Sequence, residues 1–479
     1  MGDPGSLAAW LIVLPLVWGS SSFVFFGKQA AWTAIAGLAV QTALSFHLAA
    51  ILMESGPGVH RVGGWGAPLG IDLAVDGLSA ALLILTQTVT LTLAIYARTY
   101  FLHDESKYRH FWSLTGFLIA GMNALFVSAD LFNLYVTLEI IGLAAVGLVA
   151  MGGGVNQIAA ALRYLFATLL GSGAYLLGVA LIYGAYGTVS LETLTPLIAN
   201  HVPRVVWFAA GLMLVGLMLK TALFPFHYWL PPAHSGAAAP VSALLSALVV
   251  KASFYLIMRL WIETFAPLNV GYAWLPASLG AAAILWGSWK AIRADRIKML
   301  IAYSTVAQLG YLFLVFPLLP GLKAAQVIVM QIYAHGLAKA AMFAAAGVLV
   351  KATGHDTMSG LAGTAGRLPL TLFSFGLAGT TLMGLPPSSG FLSKWQLIDA
   401  ALADGQWPLV VIVLAGGLLA AVYVFRILSF AFLLPPTNEK IAPIPRSLEW
   451  TAFVLAGASV VLGLRGVELI GLLIPWGAG

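Results

Sequence analysis

Fourteen apolar stretches of about twenty residues follow one another along this chain, and no other feature limits its fold as strongly. They run approximately over 7–26, 31–53, 75–98, 110–128, 130–151, 158–186, 204–224, 239–262, 273–291, 299–318, 323–351, 368–390, 407–434 and 449–475. A segment of that length and polarity crosses the hydrocarbon of a bilayer as a helix, because only a helix or a closed barrel satisfies its own backbone polar groups there. Of 479 residues 61% are hydrophobic and only 8% charged, and the mean hydropathy is +0.96, which excludes a soluble globular domain. The expectation is an all-α polytopic membrane protein with about fourteen transmembrane helices. The longest connection, about 54–74, is a Gly-rich loop with Pro, and no soluble domain or low-complexity segment interrupts the series. The first run follows MGDPGS, which carries no basic segment, so no cleaved signal peptide is expected.

There is no cysteine, which removes disulfides, thiolate iron–sulfur ligation and cysteine nucleophiles together. The net charge of +6 reflects short basic loops and does not point to nucleic acid. Of the 23 Lys and Arg residues, thirteen lie beside loops that follow odd-numbered runs: Lys28, Arg98, Lys107, Arg109, Lys290, Arg293, Arg296, Lys298, Lys351, Arg367, Arg426, Lys440 and Arg446. Arg61, Arg204, Arg259, Lys323 and Arg465 lie on the opposite side. The excess predicts both termini outside the cytoplasm of a prokaryotic inner membrane. The remaining five, Arg163, Lys220, Lys251, Lys339 and Lys394, fall within or at the edges of the apolar runs, where a charge is costly and needs a reason.

Two runs are broken. A continuous helix over about 205–235 would measure roughly 46 Å at 1.5 Å per residue, against a hydrocarbon core of roughly 30 Å. Pro225 interrupts it. The run at 368–404 is interrupted by Pro386 and Pro387, with Lys394 beyond. Each broken run is the fourth of five in the blocks 110–262 and 273–434, and the two cross in opposite directions. This is the pattern of two inverted five-helix repeats with discontinuous helices. It divides the chain into an N-terminal three-helix segment (1–100), two repeats (105–265 and 270–436) and a C-terminal helix (437–479).

Glu139 lies mid-run, and a carboxylate there must face a polar interior, pairing with a base or carrying a proton. Lys220 is its natural partner. Separating such a pair shifts both groups toward neutrality, the property a proton relay requires. Lys251 is also mid-run, too far from either surface to reach water easily. Gln331, His335 and Lys339 follow at i, i+4 and i+8, on one helical face, and a histidine titrates near neutrality. Ser304 and Gln308 share a face and are further relay candidates, or interhelical hydrogen-bond glue. Arg163 is a candidate bridge near the cytoplasmic end of its run. The translocation series is therefore Glu139, Lys220, Lys251, His335 and Lys394, with Lys339, Gln331, Ser304, Gln308 and Arg163 as accessory relays. His227 and His234 flank a helix break at a spacing too loose for a metal site, and no cofactor-binding or catalytic motif is present. No cofactor and no metal are expected.

The segments DLFNLYVTLE, LKTALFPFHYWLPPAHSGAAAPVSALLSALVVKASFYLIMR, DRIKMLIAYSTVAQLGYL, HGLAKAAMFAAAGVL and GLPPSSGFLSKW resemble motifs of the antiporter-like subunits shared by Mrp-type cation/proton antiporters, the complex I membrane arm and membrane-bound hydrogenases. The resemblance spans roughly residues 70–430. It implies fourteen helices in two inverted five-helix repeats, a Glu139–Lys220 pair, Lys251 and His335 as connecting residues, and Lys394 as the terminal residue of the series. Lys at 394 is unlike the M-type complex I subunit, and the length is unlike the L-type and Mrp A-type subunits. DLFNL and GWGAPLGIDL look most like the Mrp D-type subunit. The expected function is proton translocation within a multisubunit complex, with Na+ or K+ as coupling ion and homologous and small membrane subunits as partners. The expected chain has no catalytic chemistry of its own. A complex I-like NADH:quinone oxidoreductase, a membrane-bound hydrogenase or a carbon-uptake complex is the alternative setting; a quinone-binding redox subunit is the alternative of another class.

Overall fold

A computed structural model describes residues 4–25, 27–67, 70–102, 105–319, 321–434 and 441–473. Lys440 lies outside them, and the Lys107 side chain is not described. The chain begins with α1 (Pro4–Ser21) and α2 (Lys28–Ser55), then a two-stranded antiparallel hairpin, β1 (Gly58–Arg61) and β2 (Asp72–Val75), within the long first loop. Next come α3 (Gly77–Tyr100), α4 (Glu105–Val127), α5 (Leu131–Ala150), α6 (Val155–Tyr186), the short connecting helix α7 (Leu191–Asn200) and α8 (Arg204–Thr221). The region beyond the first break holds α9 (Leu230–Gly236), α10 (Ala239–Leu244) and α11 (Val250–Ile262), the last two joined by a π turn at Leu245–Val249. The second half contains α12 (Asn269–Tyr272), α13 (Trp274–Arg293), α14 (Ile297–Phe313), α15 (Leu322–Thr353), α16 (Thr364–Arg367), α17 (Pro369–Met383), α18 (Ser389–Ala403), α19 (Trp407–Phe432), α20 (Arg446–Leu464) and α21 (Gly466–Leu473).

Among the described residues, 12 helical stretches are long and apolar enough to cross a membrane, or 13 when the pair Ala266–Tyr272 and Trp274–Arg293, bent by 58°, counts as one. The sequence predicts fourteen. Against the count of 13 the difference lies at 368–390, where the chain forms α17 and α18, each of 15 residues, on either side of Gly384. Fifteen residues reach about 22 Å, short of the hydrocarbon core, so neither piece crosses alone. The run expected to reach 475 ends instead at Leu464, and α21 is a separate short helix.

The two breaks share a local design. α8 stops at Ala222, which adopts a left-handed φ of 59°, three residues before Pro225. α17 stops at Gly384, with φ 82°, three residues before Pro387. A left-handed residue ends a helix by turning the next amide back onto earlier carbonyls, here Leu223 N to Met218 O at 3.0 Å and Leu385 N to Thr380 O at 3.0 Å. Ala222 carries a Cβ in that conformation and is fully buried, so the packing around it holds it there.

Burial separates the helices into a wall and a centre. The apolar windows of 239–262 and 323–353 are 100% buried, against 33% for those of α1 and α20. The wall helices turn large apolar side chains such as Phe166, Leu418 and Phe425 outward, the reverse of a water-soluble surface. At the centre, backbones approach closely through glycine. A Cβ on Gly216 would lie 2.3 Å from Gly171 O, so α6 and α8 meet there only because both residues lack one. A buried ion pair ties α3 to α11: Arg259 donates to Asp76 Oδ2 at 2.5 Å and to Glu263 at 2.8 Å, while Asp76 also caps α3 through Ser79 N.

A Cβ at Gly390 would fall 1.8 Å from Thr381 O, where the halves of the second broken run pack together, whereas at Gly376 it meets no atom within 4 Å. Gly390→Ala is therefore expected to lower the stability of the purified protein by about 1–3 kcal/mol or more. Gly376→Ala should stay within about 0.5 kcal/mol of the parent. Thermal unfolding in detergent compares them, and equal melting temperatures would contradict this packing.

Candidate functional site

Lys220 occupies the last turn of α8, just before the break, and Glu139 lies midway along α5, a helix capped by Asp130 through its bond from Asn133 N at 2.7 Å. The Lys220 ammonium stands 3.7 Å from Glu139 Oε1, and both side chains are shielded, 6% and 18% exposed. That separation is an ion pair longer than a hydrogen bond. The short contacts of Nζ go to α6: Thr168 Oγ1 at 2.7 Å and Ser172 Oγ at 2.5 Å. A cavity of about 20 Å³, space for roughly one water, opens beside Lys220 and is lined also by Gly142, Tyr164, Thr168, Trp229 and Ser253. Trp229, stacked on Tyr164 with centroids 4.2 Å apart, donates its indole N–H to Leu219 O at 2.9 Å and so occupies a carbonyl at the break.

The cavity leads toward Lys251. Thr221, next to Lys220, donates to Ser253 Oγ at 2.9 Å, two residues from Lys251. Lys251 is 1% exposed, and its ammonium donates to Ser246 O within the π turn. A π turn shifts carbonyls out of the regular α-helical pattern, which is how an interior lysine obtains an acceptor from its own helix. Ser246 Oγ pairs with Thr305 Oγ1 at 2.9 Å, and Thr305 bonds Ile301 O on α14 at 3.0 Å. Ile301 O also accepts from Lys339 Nζ at 3.0 Å, and Lys339 donates further to Ser304 Oγ. Lys251 and Lys339, expected as separate members of the series, are thus joined through Ser246, Thr305 and Ile301.

His335, one turn before Lys339 on α15, is 1% exposed, and neither ring nitrogen has a hydrogen-bond partner among the described residues. A neutral imidazole carries one donor and one acceptor, and burial without partners costs about 1–3 kcal/mol per group. Gln331 lies one turn earlier. It receives Ser393 Oγ at 2.9 Å and reaches Gln308 Oε1 at 3.4 Å. Gln308 donates to Leu382 O at 3.1 Å, and that carbonyl also accepts from Lys394 Nζ at 2.6 Å. Lys394 takes Met383 O at 3.2 Å and sits 4.5 Å from the centre of the Tyr311 ring. Its acceptors are the carbonyls that the end of α17 leaves without helical partners.

Every member of the series, and every accessory candidate except Arg163, faces this interior. Arg163 stands on the exposed face of α6, beside buried Tyr164. Pro225, Pro386 and Pro387 sit in the two breaks as expected. His234 is buried and stacked on Phe343, and His227 lies apart from it against Phe224 and Tyr303. No group of three or more His, Cys, Asp or Glu suited to a metal occurs among the described residues. Sequence reading passed over Thr168, Ser172, Ser246, Thr305 and Ser393. Their signal, a hydroxyl one turn from another or beside an interior lysine, is common in membrane helices and becomes informative only when the facing helix is known.

Residues 128–420 match the model of a family described as NADH:quinone oxidoreductase/Mrp antiporter, transmembrane. The chain belongs to that family. It is 34% identical over 469 residues to the N-type subunit of the NADH-quinone oxidoreductase of Desulforudis audaxviator, covering 92% of each chain. It is 30% identical over 425 residues to the D-type subunit of the Na(+)/H(+) antiporter of Alkalihalophilus pseudofirmus, covering 88% of this chain and 86% of the other. Its fold is similar to a chain of the Mrp complex from Dietzia sp., with a TM-score of 0.91 at 27% identity over 99% and 97% of the two chains. Family membership agrees with the resemblance read from the motifs.

Among the described residues Lys251, Lys339 and Lys394 have no carboxylate within ion-pair distance, whereas Lys220 has Glu139. An uncompensated buried charge opposes folding, so Lys339→Met is expected to leave stability unchanged or raise it by about 1 kcal/mol or more. Lys220→Met strands Glu139 and should lower stability by at least about 1 kcal/mol. Unfolding temperatures of the purified variants test the contrast, and a loss from Lys339→Met as large as that from Lys220→Met would refute it.

Proposed function

We propose that this chain is the proton-translocating antiporter-like subunit of a multisubunit membrane complex. The observation that carries the reading is the buried polar line itself. It runs from the Glu139–Lys220 pair through Lys251 and Lys339 to Lys394, with hydroxyls and backbone carbonyls between them, and His335 lies on it one turn from Lys339. Ionisable groups at that depth are costly unless they exchange protons or pair, and of the four lysines in this line only Lys220 has a carboxylate partner among the described residues. Loosening the contact of Lys220 with Glu139 would change the field felt at Lys251, and the change would pass to His335 and Lys339 and end at Lys394. His335, buried with neither ring nitrogen bonded among the described residues, is suited to carry a proton between the two lysines beside it.

The architecture of the reading is fourteen spans in two inverted five-helix repeats, 105–265 and 270–436, flanked by a three-helix N-terminal segment and a C-terminal helix. The matched breaks support it: a left-handed residue three positions before a proline in each. The distribution of Lys and Arg supports both termini outside the cytoplasm of a prokaryotic inner membrane. The setting favoured here is Mrp-type exchange of Na+ or K+ for protons, with homologous and small membrane subunits as partners. A complex I-like setting is kept as a second reading because of the 34% identity to an N-type oxidoreductase subunit. Co-purification separates the two: small antiporter subunits in one case, a soluble dehydrogenase arm in the other.

The central claim is tested with Glu139→Ala and Lys220→Ala in the assembled complex, reconstituted in vesicles. Proton-linked transport should fall at least tenfold while the subunits still co-purify. Near-normal transport in an intact assembly removes the proposal.

A further inference from the structure

We infer that Thr168 and Ser172 of α6 are positioning residues that hold the Lys220 ammonium in a parted state, away from direct contact with Glu139. The inference rests on the reading of Lys220 and Glu139 as the transport pair. An ammonium has three N–H donors. Two have hydroxyl acceptors at 2.7 and 2.5 Å and a further contact goes to Thr168 O at 3.4 Å, while the carboxylate stands at 3.7 Å. Glu139 Oε1 is buried and has no hydrogen-bond donor among the described residues, although a cation is close by. A lysine with four rotatable bonds would close that gap if nothing competed, because a charge-assisted bond to a carboxylate is stronger than one to a hydroxyl. The hydroxyls compete as a pair.

The local geometry equips them for it. Residues 168 and 172 are one turn apart and share a face of α6. The Ser172 hydroxyl proton is committed to Thr168 O at 2.8 Å, which leaves its lone pairs for Nζ. Thr168 is seated by α5 itself: a Cβ on Gly142, one turn beyond Glu139, would lie 2.6 Å from Thr168 Oγ1. The helix that carries the carboxylate therefore also leaves room for the group that draws the lysine off it. Lys220 then has three destinations within reach: Glu139, the α6 hydroxyls and the water-sized cavity toward Ser253. A lysine that exchanges partners needs a second stable position, and this cradle supplies one.

The test uses the assembled complex in vesicles. Thr168→Val keeps the shape of threonine and removes the hydroxyl, Thr168→Ser does the opposite, and Ser172→Ala removes the second acceptor. Proton-linked transport should fall at least fivefold in the Thr168→Val, Ser172→Ala double variant and stay above half of the parent rate in Thr168→Ser. The infrared carboxylate band of Glu139, identified by its loss in Glu139→Gln, should shift in the double variant as the lysine closes on the acid. Should the double variant fail to assemble, each single variant is read in the same way. Full transport with an unshifted band overturns the inference, as does loss in Thr168→Ser with retention in Thr168→Val, the signature of packing alone. Lys220→Ala is run beside them: normal transport in that variant defeats the transport-pair reading, whereas its loss with an unaffected double variant defeats only the cradle.

Discussion

Lysine ammonium groups sealed among apolar helices must find acceptors, and the irregular features of this structure supply them for two of the four. Lys251 uses a carbonyl of the π turn in its own span. Lys394 uses the last carbonyls of α17, left open where that helix stops. Lys339 takes Ile301 O and a serine, and Lys220 takes two hydroxyls and a distant carboxylate. A regular helix commits its carbonyls to its own amides, so Lys251 and Lys394 draw on places where a helix departs from regularity, whereas Lys339 uses the second lone pair of a carbonyl within the regular α14. The breaks and the π turn are therefore part of the same arrangement as the charges.

The arrangement demands a protein around it. The apolar windows of the spans that carry Lys251, His335 and Lys339 are entirely buried within the chain, which keeps lipid away from this part of the polar line. Wall helices such as α1, α2 and α19 present apolar surfaces to the bilayer and contribute no charge to the line. Close backbone approaches at Gly171 with Gly216, and at Gly280 with Gly310, bring helices near enough for short side chains to reach across. Water-sized space lies beside Lys220, and the buried His335 nitrogens have no hydrogen-bond partner among the described residues.

Relatives in this family include an N-type subunit of an NADH-quinone oxidoreductase and a D-type subunit of a Na(+)/H(+) antiporter. Under the proposed function, whatever drives the line needs only to move Lys220 relative to Glu139, and the driving chemistry of each setting then lies outside the line.

Run length and composition, being local properties, were enough to read the membrane class, the order of the spans, both breaks and the interior charges Glu139, Lys220, Lys251, Lys339 and Lys394 directly. Thr168, Ser172, Ser246 and Thr305 were not readable in that way, because a helix that is apolar all round has no polar stripe to reveal its rotation. Nor was the length of the two halves of 368–404, each 15 residues and too short to cross alone, since the prolines mark a break without fixing where the flanking helices end. Which groups meet is decided by how each helix is turned against its neighbours, and that follows from packing glycine and small side chains across the whole bundle. The sequence by itself determined that charges lie inside the membrane; only the tertiary structure decided that Lys220 rests on α6 hydroxyls, 3.7 Å from its acid, because that choice depends on three helices meeting at one point.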